Sequence, residues 1–167
     1  MLIPVIYCTI GYWLTGLVKL FDAFIIFVAV GILVGNNAIA FGSSIGIVAP
    51  TINAAFNLNQ PFVILFLTYG GFYLNVNSIA DYFIWIKYLS WFFYANEILQ
   101  VNQWEKVSNI TCGANETVCY FNGREVLESL NLNPANFRLD FLWLVLLYLL
   151  WRVLGFLALT IRTKLRY

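Results

Sequence analysis

Between Asp22 and Asp81 the chain carries no charged residue. That stretch divides into two apolar runs around APTINAAFNLNQ, residues 49 to 60, a polar break that contains Pro50. A soluble domain of this size has no core large enough to hide so long an uncharged segment. About 20 apolar residues cross a bilayer as a helix, with every backbone polar group satisfied internally. The pattern therefore predicts membrane helices over residues 1–18, 21–48, 52–74 and 139–161, the last reading LDFLWLVLLYLLWRVLGFLALTI. Met1 to Val18 is read as a span and not as a secretory leader, because no basic segment precedes it and Lys19 follows it.

Residues 75–138 lie between the third and fourth spans. Their most unusual stretch is DYFIWIKYLSWFFY, residues 81 to 94, in which aromatic rings outnumber all other side chains. Tyr and Trp concentrate at the membrane–water boundary, so an interfacial or re-entrant helix fits this stretch better than a further crossing. The predicted fold class is an all-α integral membrane protein. It has four transmembrane helices, with interfacial or re-entrant helices in a large external loop stapled by a disulfide.

Composition agrees with a lipid environment. The chain is 62% hydrophobic and 10% charged, with a mean hydropathy of +0.81. A net charge of +1 and the lack of a basic run give no sign of nucleic-acid binding. Orientation comes from RTKLRY at the end: Arg162, Lys164 and Arg166 flank the last span, and basic flanks stay cytoplasmic. Residues 75–138 are then external or lumenal, which is where N-glycosylation occurs, and two acceptor sequences begin there at Asn109 and Asn115. Cys112 and Cys119 share this oxidising side, and a disulfide between them is expected. A metal site is not expected, since the chain has no histidine and no second cysteine pair. Cys8, in an apolar span, reads as a small buried hydrophobe.

Three features inside the spans carry both a packing and a functional reading. Gly31, Gly35, Gly42 and Gly46 fall on one helical face that admits a close neighbour or faces a substrate. Asn36 and Asn37 are polar groups near mid-span, suited to bonding between helices or to a functional role. Arg152 is a charge deep in the last span, which can snorkel to the cytoplasmic side, pair within the bundle or meet a substrate.

YGGFYLNVNSIADYFIWIKYLSWFFYANEILQVNQW, residues 69 to 104, resembles the end of the fifth transmembrane helix and the start of the large external loop in ABC transporters of the G (White) subfamily. The paired loop cysteines, the LNLNP segment and the basic tail follow in that family's order. The resemblance covers essentially the whole chain as part of an ABC-2 type transmembrane domain. The GGFYLN, YLSWFFYANE and NQW elements are most similar to insect eye-pigment transporters. It implies a half-transporter that forms a homo- or heterodimer with another G-subfamily member in the lipid bilayer. Its implied substrates are small aromatic or lipid-like molecules such as pigment precursors, moved with ATP across the plasma membrane or an intracellular vesicle or pigment-granule membrane. By the same resemblance Ile64, Leu67 and Thr68 line the substrate cavity, Phe72 and Tyr73 form an exit plug, and Cys112 and Cys119 correspond to the loop disulfide. Phe72 and Tyr73 are aromatic where several relatives have leucines.

One departure qualifies this reading. The chain has no G-x-x-x-x-G-K-[ST] loop to cradle phosphates, so ATP and magnesium belong to a nucleotide-binding domain outside it, and no catalytic residue is assigned. The first two helices of the family's membrane domain also have no counterpart. The chain is read as the C-terminal part of a longer protein. Two other classes are carried beside it: a stand-alone permease subunit served by a separate ATPase, and a structural membrane glycoprotein that transports nothing.

Overall fold

The computed structural model describes residues 2–71, 81–108, 110 and 120–165, and its regular elements there are all helical. In chain order these are α1 (Leu2–Leu14), α2 (Phe21–Val48), α3 (Ile52–Thr68), α4 (Ile84–Leu89), α5 (Trp91–Trp104), α6 (Gly123–Ser129) and α7 (Phe137–Leu165). Short 3-10 turns at Asp81–Phe83 and Pro134–Asn136 lead into α4 and α7. Two helical segments are long and apolar enough to cross a membrane, Phe21–Val48 and Pro134–Lys164. At 1.5 Å per residue, the 28 residues of α2 extend about 42 Å, more than the roughly 30 Å of a hydrocarbon core.

The helix ends have local causes. α1 stops at Leu14, ahead of Val18, because Gly16 takes a left-handed φ of +67° that turns the chain back toward α2. Pro50 follows the end of α2, and Thr51 then caps α3 by accepting the Ala54 N–H at 3.2 Å. Most of the polar stretch 49–60 is helix: α3 begins at Ile52, where the third span was expected to start, and runs through Pro61. It ends at Thr68, short of Leu74, where Gly71 has a φ of +80°.

Side-chain contacts fix the directions of the helices. Asn37 donates to the Leu144 carbonyl at 3.2 Å, and Ser44 donates to the Trp151 carbonyl at 2.9 Å. Both pairs are separated by 107 residues, so moving along α2 advances the partner equally along α7, and the two helices run parallel. α1 runs antiparallel to α2, because Cys8 meets Gly31 while the earlier Pro4 meets the later Gly35. The same glycine face meets α3 lower down, where Gly42 faces Asn59. Gly155 of α7 leaves room for Ser44.

The core is largely aromatic. Phe41, Phe66, Trp91 and Trp151 bring α2, α3, α5 and α7 together with ring centroids 4.7 to 6.5 Å apart. The aromatic run 81–94 is split by Ser90. Before it, Tyr82, Trp85 and Tyr88 are exposed, whereas Trp91 and Tyr94 after it are buried. α5 is therefore part of the bundle. It starts beside Phe41 and ends where Asn102 donates to the Ala23 carbonyl at 2.9 Å, so it runs along α2 from Phe41 back to Ala23, while α3 meets α2 at Phe41 and beyond.

Candidate functional site

The proposed cavity residues lie on the last two turns of α3. Ile64 is exposed, and Phe66, at 3% exposure, points into the core. Thr68 is half-buried, and its hydroxyl donates to the Ile64 carbonyl at 2.8 Å. Its proton is thus committed within the helix, leaving the oxygen as an acceptor. Leu67 turns toward a cleft of about 260 Å³ bounded by Cys8, Val30 and Gly31 on one side and by Gly70 and Phe92 on the other. Exposed Ile52, Phe56 and Gln60 continue the ridge of Ile64 toward the start of α3. Phe72, Tyr73, Asn109, Cys112, Asn115 and Cys119 lie outside the described residues.

The joint above α3 is polar and closed to solvent. Ser90 donates its hydroxyl to the Phe66 carbonyl at 2.7 Å, satisfying one of the orphan acceptors at the end of α3. Packing is tight enough that a Cβ on Gly70 would stand 2.8 Å from the Phe92 Cβ. At the opposite end Arg162 donates to the Ile47 carbonyl. The cation meets the negative end of α2, where the dipole favours it. This end holds a second cleft, of about 760 Å³, around the α2–α3 turn.

Residues that the pattern did not single out form a further group. Glu97 of α5 is buried and faces the Asn133 backbone and the Asn136 side chain, at the start of α7. Burial raises its carboxyl above the ordinary range, opposed by these two residues and by Lys87. The available signal was a lone carboxylate within the apolar WFFYANEIL segment. Asn37 bridges α2 and α7, in line with its reading as an interhelical donor, and also donates to the Leu33 carbonyl at 3.0 Å. Arg152 stays on its own helix, exposed, donating to the Tyr148 hydroxyl at 3.2 Å. Among the described residues, no group of three or more His, Cys, Asp or Glu side chains could hold a metal ion.

These features define a class: a helical membrane domain in which two long parallel helices support a broken line of two shorter ones. Residues 1–104 match the family model described as "ABC-2 type transporter". The chain belongs to that family, as a membrane domain of the G (White) type. It is 38% identical to "Protein white" of Ceratitis capitata over 98% of its own length and 24% of that relative. It is 34% identical to "Protein scarlet" of Drosophila melanogaster, with 96% and 24% covered. To the Caenorhabditis elegans "ABC transporter ATP-binding protein/permease wht-1" it is 29% identical, with 97% and 25% covered. The chain thus spans about a quarter of the length of these relatives.

Proposed function

We propose that this chain is the C-terminal part of the membrane domain of an ATP-driven half-transporter, and that it pairs with a second G-subfamily subunit. Four membrane crossings are proposed, with the chain end and the α2–α3 turn cytoplasmic. The observation that carries this reading is the parallel pairing of α2 and α7. It puts the α2–α3 turn at the same end of the bundle as Arg162 and Lys164, whose charge marks the cytoplasmic side. The loop bearing Asn109 and Asn115 is then external or lumenal and glycosylated, and Cys112 and Cys119 are bonded within it.

In the dimer, the face of α3 that carries Ile52, Phe56, Gln60 and Ile64 lines the substrate path, with Leu67 and Thr68 beyond it and Phe72 and Tyr73 as its exit plug. Such a wall suits a flat, weakly polar molecule held by dispersion and stacking. Pigment precursors are the proposed substrates, and ATP with magnesium acts in the nucleotide-binding domain of the whole protein. The test is ATP-dependent uptake of candidate aromatic precursors into vesicles containing the full-length protein and its partner. Uptake should be saturable and should fall on substitution of Ile64 by a charged residue. Equal uptake with and without ATP would overturn the reading.

A further inference from the structure

Where α7 begins, α4, α5 and α7 enclose a pocket of about 570 Å³ whose walls are of two kinds. Four rings form one part: Tyr88, Phe93, Tyr94 and Trp143. Tyr94 and Trp143 stack at a centroid distance of 6.4 Å and an interplanar angle of 22°. The other part holds two carboxylates, Glu97 at 6% exposure and Asp140 at 5%. They are not equivalent. Glu97 faces Asn133, Asn136 and Lys87, whereas Oδ2 of Asp140 is buried without a hydrogen-bond partner among the described residues. A carboxylate oxygen withdrawn from water and left unpaired is costly unless a donor or cation meets it. Asp140 also lies in the first turn of α7.

The pocket already receives one ammonium. The Lys87 Nζ stands 4.8 Å from the Tyr88 ring centroid and 5.2 Å from that of Phe93, within cation–π range. Among the lining residues Lys87 is the one cation, set against two carboxyl groups. Among the described residues no group of three or more His, Cys, Asp or Glu stands here to hold a metal ion. An organic ammonium is satisfied by one carboxylate and an aromatic wall.

We propose that this pocket binds a small organic monocation, an ammonium group on a flat apolar body. Asp140 is its charge partner, and Tyr94 and Trp143 are the surface against which the body lies. The site is separate from the face of α3 and does not depend on the transport reading.

The test uses the full-length protein with its partner subunit, in phosphatidylcholine nanodiscs without ATP, so that a failure of transport and a failure of this site are read apart. Radiolabelled phenethylamine should bind saturably, and its neutral counterpart 2-phenylethanol should compete at least about tenfold more weakly, as expected for loss of a charge-assisted contact. Asp140→Asn should weaken phenethylamine binding by a similar factor with the melting temperature retained. Should that variant misfold, the comparison of the two ligands on the unaltered protein still decides, together with Trp143→Leu, which keeps bulk on a half-exposed side chain and should weaken binding severalfold. Equal competition by amine and alcohol would reduce the pocket to an apolar cleft. Absence of saturable amine binding would mean that a proton alone serves Asp140. Unchanged affinity in Asp140→Asn, or in Trp143→Leu, would place the amine elsewhere. Each of these three results overturns the proposal.

Discussion

Cys8 and Gly31 meet so closely that a Cβ on Gly31 would overlap the Cys8 Sγ, while the next nearest atom, the Cys8 Cβ, would be 3.8 Å away. Gly31→Ala alone should therefore destabilise the bundle by about 1–3 kcal/mol through overpacking. Cys8→Ala in the same chain should restore most of that loss, because it removes the one atom in the way. Thermal unfolding of both single variants and the double variant in detergent measures the coupling, and independent effects would contradict the packing described. Glu97 gives a prediction in pH. Its carboxyl is raised by burial, so the folded state holds the proton more tightly than the unfolded chain. Its contribution to stability is greatest below the unfolded value and declines as pH rises through the folded one. The melting temperature should fall over that interval, and Glu97→Gln should flatten the fall. Lys87, Tyr94, Asn133, Asn136 and Asp140 surround the group and are left intact by that exchange.

Ser90 acts between elements. Ser90→Ala removes the donor to the Phe66 carbonyl and should cost about 1–3 kcal/mol, since the carbonyl is then buried without its partner. Hydrogen exchange should show the faster opening concentrated at the end of α3 and the start of α5. How far such elements can be read from sequence depends on whether their cause is local. The limits of α2, residues 21–48, follow from Asp22, the uncharged run and Pro50, and were fully legible. The start of α3 at residue 52 was legible too, although the asparagines of residues 52–60 look like a break, whereas its end at Thr68 was expected at residue 74. Thr51 supplied a capping signal, and packing against α2 outweighs the weak helix preference of Asn. The aromatic run reads as one amphipathic piece, yet Ser90 splits it into an exposed and a buried half. The deciding bond comes from Phe66, distant in the chain and invisible to periodicity. The parallel direction of α2 and α7 follows from the expected order of the spans, but neither their register, Asn37 to Leu144, nor the meeting of Glu97 with Asn133 and Asn136 could be anticipated. The assignment of Ile64, Leu67 and Thr68 to a cavity rests on the family resemblance.

For the whole molecule, the proposed topology has a direct readout. Asn109→Gln and Asn115→Gln should each reduce the apparent mass of the full-length protein by one glycan, while a tag after Tyr167 stays inaccessible from outside. Glycan-free wild-type protein, or an externally accessible tag, would contradict the proposed orientation. Alanine at both Phe72 and Tyr73 should alter transport rate or substrate range with surface expression retained, and unchanged transport would remove the plug assignment.

The division of one side of the bundle into α3 and α5 has a mechanical consequence. α2 and α7 are pinned to each other at two heights, by Asn37 and by Ser44, and behave as a mast. Alongside it, α3 and α5 meet at a joint midway down, joined by one hydroxyl and a cluster of rings. Tilting one piece of that line breaks far fewer bonds than bending a continuous helix of the same reach, so deformation concentrates at the joint. A push on the α2–α3 turn would swing α3 while the mast stands still. Distances between spin labels on α3 and α7 should then change between nucleotide states of the full-length protein, while those between α2 and α7 stay fixed.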